Sequence, residues 1–213
     1  IQTYSVTLHD AAGLPYECET VFGFFSKTAL AQQIGVREAQ WYAVENVIAS
    51  PSGQLPYPAK TPFPDAQLRM IDQLSVLSLT GGRHGLGWVE GHAQVDPQAW
   101  YFHAHFYQDP VIPGSLGIES MAQLLKVYAL ERWSHLRNSA DPSAQFQCPA
   151  NTVEMRWTYR GQVVPSNDRV SVQIHIARVD SATSTLFADG YLAVDGRIIY
   201  SVENISLRLR GGA

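Results

Sequence analysis

The residues best suited to chemistry lie between Tyr101 and Gln123. There the chain reads Tyr-Phe-His-Ala-His-Phe-Tyr-Gln-Asp-Pro-Val-Ile-Pro-Gly-Ser-Leu-Gly-Ile-Glu-Ser-Met-Ala-Gln. His105 and Glu119 stand 14 positions apart (119 − 105), with Pro113-Gly114 between them. A neutral imidazole is a suitable base near pH 7 for the weakly acidic proton beside a thioester carbonyl. A carboxyl group in apolar surroundings is a suitable acid for a departing hydroxyl, because burial disfavours its charged form. Backbone N–H groups at Gly114 and the following helix start would hold a carbonyl oxygen as negative charge develops on it. Together these groups suit the removal of water from a β-hydroxyacyl thioester, a reaction that requires no metal and no diffusible cofactor.

The spacing also offers a metal reading. His103 and His105 alternate as in a strand, and Asp109 follows four residues later. A third histidine on a later strand would be needed, and His135 and His175 are poorly placed to supply it. His9, His84 and His92 carry no supporting constellation.

The elements that must position these groups follow from periodicity. Residues 99–106 read as a strand that puts His103 and His105 on one face. Pro110 and Pro113 stop that strand, Gly114 allows a sharp turn, and Ser115 is placed to cap a helix. Residues 116–133 are apolar nearly all round, which requires burial on most sides. Residues 68–79 and 85–95 read as two strands about Gly81-Gly82. From residue 152 onward strand follows strand. Val170, Val172, Ile174 and Ile176 alternate with Ser171, Gln173, His175 and Ala177, giving one core face and one wet face. One long buried helix among about six strands predicts an α+β fold with a curled antiparallel sheet around that helix.

Near the N-terminus, residues 3–8 and 16–25 flank Asp10–Gly13 as a hairpin, and Ser26 is placed to cap a short helix that ends by Gly35. A similar hairpin with an Asp195-Gly196 turn lies near the other end. The first hairpin therefore reads as a possible remnant of a preceding module. Six prolines and glycines between Ser50 and Asp65 mark an extended linker. The expected organisation is residues 1–58 as hairpin, short helix and linker, and residues 59–213 as the main domain. The first residue is Ile1, which suggests processing or excision from a longer polypeptide.

A net charge of −4 and a pI near 5.9 argue against nucleic-acid binding. No apolar run reaches the length of a membrane span and no signal segment opens the chain, so a cytoplasmic location is expected. Cys18 and Cys148 match no metal spacing and are expected to be reduced thiols.

The segment 105–124 resembles the signature of the β-hydroxydecanoyl-acyl-carrier-protein dehydratase/isomerase family, and more closely the dehydratase domains of polyunsaturated fatty acid synthases. Residues 157–165 (WTYRGQVVP) and 188–200 (ADGYLAVDGRIIY) resemble that family's later strands. The resemblance implies a hot-dog fold, with His105 as the catalytic histidine, Glu119 as the catalytic acid and Gly114 as the carbonyl donor. It also implies an acyl carrier protein as partner, bearing the substrate on phosphopantetheine. The histidine and acid of one site would come from two facing units, either a homodimer or another hot-dog unit of the same polypeptide. Phe106, Met121, Leu125 and Trp157 are candidates for the wall of an acyl tunnel. The isomerising members usually carry Asp and Cys where this chain has Glu119 and Ser115, so the expected product is the trans-2-enoyl thioester. The alternatives are a dehydratase that also isomerises to the cis-3 product, a hot-dog thioesterase, and a non-catalytic unit that supports assembly.

Overall fold

The computed structural model describes residues 2–43, 55–56, 66–133, 146–150 and 153–209. Two compact units are distinguished, Ile1–Gln33 and Ile34–Ala213. The expected boundary near residue 58, and nearly all of the proline-rich linker, lie outside the described residues.

The first unit is an antiparallel hairpin of β1 (Gln2–Asp10) and β2 (Gly13–Phe22), followed by a five-residue helix α1 (Lys27–Ala31). Asp10 Oδ1 accepts the Ala12 N–H at 2.8 Å and tightens the turn. Ser26 caps α1 as its sequence position suggests, accepting the Ala29 N–H at 3.2 Å.

The second unit is an eight-stranded antiparallel sheet curled around one long helix. Its strands are β3 (Leu55–Pro56), β4 (Gln73–Ser78), β5 (Trp88–Gln94), β6 (Phe146–Gln147), β7 (Arg156–Tyr159), β8 (Arg169–Asp180), β9 (Thr185–Val194) and β10 (Arg197–Leu209). The spatial order is β3-β4-β5-β8-β9-β10-β6, and β7 pairs with the same free edge of β10 as β6, further along it. Asp195 and Gly196 both take positive φ, 48° and 82°, in the tight turn between β9 and β10. Register shifts interrupt the β4–β5, β8–β9 and β9–β10 pairings, and such bulges bend and twist a sheet.

The helix in the concave side is α3 (Gly114–Arg132). Met121, Leu124, Leu125, Tyr128 and Ala129 are fully buried against Ile174, Ile176, Leu186, Ile205 and Leu207 of the sheet. An apolar surface on almost every side of the helix is thus matched by a sheet that wraps it. This is the hot-dog arrangement.

The convex side of the sheet departs from expectation. Gln173 and His175 of β8 are as buried as the core rather than wet. Tyr42 lies over them: its N–H donates to Gln173 Oε1 at 3.1 Å, and Gln173 Nε2 donates to Tyr42 O at 2.8 Å and to Glu90 Oε2 at 2.6 Å. His175 stacks on Trp88, with ring centroids 5.7 Å apart, and Tyr42 meets both rings edge-on. Buried polar groups are tolerated when their hydrogen bonds are made. A covering segment 131 positions away is invisible to local alternation.

Candidate active site

His105 does not lie on a strand. Trp100–Ala104 form one turn of helix, α2, with Phe102 as its buried residue, and His105 is the residue that ends it. In a five-residue window one buried aromatic satisfies a helical period as well as a strand period, so alternation alone misassigns it. His103 sits in the last turn of α2, exposed. His103 lies in a helical turn and His105 in the extended residue after it, so the strand alternation expected to put both on one face is not formed.

The chain leaves α2 in an extended conformation at His105 (φ −146°, ψ 101°) and returns through Phe106–Pro110 to Val111. There it is tied back twice. Val111 N–H donates to His105 O at 2.9 Å, and His105 Nδ1 lies 3.0 Å from Val111 O. A carbonyl oxygen only accepts, so Nδ1 carries the hydrogen and Nε2 presents its lone pair.

Helix α3 begins two residues earlier than a Ser115 cap requires. Pro113 occupies the N-cap with no side-chain cap bond, Gly114 is the first helical residue, and Ser115 is an exposed residue of the first turn. No acceptor takes the Gly114 N–H among the described residues, as expected at a helix start. Glu119 follows in the second turn, half-buried. Its Oε1 accepts from Gln123 Nε2 at 2.9 Å. Gln123 is fully buried, and both its amide hydrogens are used: Nε2 also donates to Leu68 O at 2.8 Å, and Oε1 accepts the Met70 N–H at 3.1 Å. Gln123 thus fixes Glu119 and ties residues 68–70 to the helix. Sequence reading missed both Gln123 and Val111. The i,i+4 spacing of Glu119 and Gln123 was the available signal for the first. No hydrogen bond joins His105 to Glu119 within the chain among the described residues.

Gly114 and Gly117 are required for close approach rather than for a sharp turn. A Cβ on Gly114 would stand 2.9 Å from Trp157 Cη2, and one on Gly117 only 2.1 Å from Tyr200 Cε2. Trp157, Tyr159 and Tyr200 form an aromatic cluster beneath the helix start, with the Tyr159 and Tyr200 centroids 4.7 Å apart. Burial, with Tyr159 beside it, pushes the Tyr200 phenol well above the ordinary range. Burial also pushes the Cys148 thiol up to about 12, with Lys126 opposing and the nearby Glu119 adding to the shift.

A cavity of about 420 Å³ opens beside this helix start, lined among others by Ile112, Leu116, Gly117, Ser120, Leu192 and Tyr200. The four tunnel candidates are placed elsewhere. Met121 and Leu125 are core residues, Phe106 is 56 % exposed in the loop after His105, and Trp157 packs on Gly114. Among the described residues no group of three or more His, Cys, Asp or Glu side chains is arranged to hold a metal ion, and His135 lies outside them. No helix among them is long and apolar enough to cross a membrane.

The second unit thus has the hot-dog fold and carries an oriented histidine and a hydrogen-bonded carboxylate. The FabA-like domain model matches residues 63–203, and the chain belongs to that family. It is 30% identical over 221 residues to a subunit of the polyunsaturated fatty acid synthase of Thraustochytrium sp., a match covering 92% of this chain and 14% of that protein. The chain therefore spans about one seventh of the length of this relative. Among solved structures it is similar to the dehydratase heterocomplex ApeI:P from Xenorhabdus doucetiae, with 17% identity, a TM-score of 0.49, and coverage of 70% of this chain and 88% of that one. It is also similar to a mutant thioesterase from Pseudomonas aeruginosa, with 13% identity, a TM-score of 0.38, and coverage of 64% and 80%.

Proposed function

We propose that this chain is a dehydratase that converts a 3-hydroxyacyl thioester, carried on the phosphopantetheine of an acyl carrier protein, to the trans-2-enoyl thioester. The observation that carries the reading is the His105 Nδ1–Val111 O hydrogen bond at 3.0 Å, which leaves Nε2 as a base of fixed tautomer and direction. Nε2 takes the proton from C2, and the electron pair of that C–H bond forms the C2–C3 double bond. The C3–O bond breaks, and the hydroxyl leaves as water with a proton from the Glu119 carboxyl. The Gly114 N–H donates to the thioester oxygen while charge develops there. The imidazolium then returns its proton to the carboxylate through solvent, restoring both groups. Acid–base assistance of this kind contributes about 10²–10⁴ in rate.

The family resemblance implies a site assembled from two facing units, one giving His105 and the other Glu119. Glu119 and Ser115, in place of the usual Asp and Cys, favour dehydration without isomerisation. One assay separates the possibilities: a 3-hydroxyacyl thioester is supplied, and enoyl product, free thiol and double-bond position are followed independently. Trans-2-enoyl product alone is expected. Free thiol without enoyl product would instead identify a thioesterase, and a cis-3 product an isomerising enzyme.

A further inference from the structure

The dehydratase reading sets the thioester oxygen against the Gly114 N–H, and the placement of that N–H depends on two phenols. Helix α3 carries glycine at positions 114 and 117, and their i,i+3 spacing puts both on one face of the first turn. Aromatic rings fill the space that side chains would take there. A Cβ on Gly117 would stand 2.7 Å from Tyr200 Cζ and 2.9 Å from its hydroxyl oxygen. One on Gly114 would stand 2.9 Å from Trp157 Cη2 and 3.7 Å from the same hydroxyl oxygen. The helix backbone thus rests on rings carried by β7 and β10. Pro113 offers no capping side chain, so the position of this turn is set by what it packs on.

The Tyr200 ring is itself held. It is fully buried, and the pairing of β7 with β10 sets Tyr159 directly opposite it. The two rings meet edge to face, with centroids 4.7 Å apart and planes at 78°, and their hydroxyls share a hydrogen bond. A buried hydroxyl left without a partner is costly, so this bond gives the Tyr200 ring one favoured placement. The atoms nearest to the two glycines belong to Trp157 and Tyr200, so Tyr159 reaches the helix start through Tyr200.

Resting on the dehydratase reading, we propose that Tyr159 and Tyr200 are positioning residues, whose shared hydrogen bond holds the first turn of α3 where the Gly114 N–H meets the thioester oxygen. Two readouts test this. Isotope-edited infrared difference spectra of bound trans-2-butenoyl-pantetheine, labelled with carbon-13 at the carbonyl, give a stretch that moves to lower frequency as the N–H donates to the oxygen. Turnover of 3-hydroxybutyryl-pantetheine gives kcat and KM. Wild type is compared with Tyr159→Phe, Tyr200→Phe, the double variant and Tyr128→Phe. Tyr128 controls for general loosening of the helix, since its buried hydroxyl donates to Leu86 O at 2.6 Å far from Gly114. In Tyr159→Phe and Tyr200→Phe the frequency shift should shrink, and kcat should fall about tenfold or more with KM nearly unchanged. The double variant should be no worse than either single one, because each loses the same bond. Tyr128→Phe should match wild type in both readouts. A wild-type frequency and kcat in Tyr159→Phe, or an equal loss in Tyr128→Phe, overturns the proposal. Wild type that forms no enoyl product overturns the dehydratase reading. The carbonyl frequencies still decide in that case whether the phenol pair positions the donor.

Discussion

At the scale of single residues, the proposed chemistry rests on side chains held by their hydrogen bonds. Gln123 is the clearest case, since one buried amide holds Glu119, Leu68 O and Met70 N–H together. Gln123→Leu should lower kcat by about 10–100-fold with KM nearly unchanged, because Glu119, the proposed acid, is released. It should also cost about 1–3 kcal/mol in denaturant unfolding, because Leu68 O and Met70 N–H lose their partner. A fall in stability with kcat preserved would limit Gln123 to a structural role. His175 gives a second prediction. Burial, with Arg83 and His84 nearby, holds its pKa down to about 4 despite Asp189, and its Nδ1 accepts the Arg83 N–H at 3.3 Å. The folded state therefore keeps His175 neutral while the unfolded chain takes up a proton below about pH 6.5. This contribution to stability is complete above that pH and is lost progressively as pH falls toward 4. Denaturant midpoints measured between pH 7.5 and 4.5 should decline, and His175→Gln should decline less steeply. Parallel curves for the two proteins would refute the assignment.

At the scale of elements, the helix start is a packing problem solved by omitting side chains. In Gly117→Ala the new Cβ would meet Tyr200 Cε2 at 2.1 Å, so the helix or the ring must move. Overpacking of this kind costs about 1–3 kcal/mol. Thermal melting should fall by several degrees, and activity should fall with it as the Gly114 N–H shifts. A melting temperature equal to wild type would show that the contact relaxes freely. These elements were legible in the sequence to different degrees. The helix 116–133 was readable because apolar residues on all sides admit only burial, and the Asp195-Gly196 hairpin because its turn chemistry is specific. Both lie where expected. The strand expected at residues 99–106 is a helical turn, because five residues are too few to separate the two periods. The convex face of β8 looked wet because Gln173 and His175 are polar. They are buried by Tyr42, whose approach no local pattern encodes. The order of His105, Gly114 and Glu119 was legible. Their supports, Val111 and Gln123, were not, since they act through contacts made only once the loop and helix are folded.

At the scale of the whole molecule, the chain is one FabA-like hot-dog unit preceded by a hairpin unit. The hairpin presents Val6, Leu8 and Tyr16 to solvent. If two copies of the chain face each other and each supplies half of a site, co-expressed His105→Ala and Glu119→Gln chains should regain activity that neither has alone. Random pairing makes half of the dimers mixed with one intact site each, or about a quarter of wild-type activity. No recovery would exclude pairing between copies of this chain. The central assignment, elimination of water with His105 as base and Glu119 as acid, is tested most directly by one measurement. Enoyl formation from a 3-hydroxyacyl thioester is followed for wild type, His105→Ala and Glu119→Gln at saturating substrate. Turnover by wild type and a loss of about 10²-fold or more in each variant is the expected result. Variants that form enoyl product as fast as wild type would contradict it.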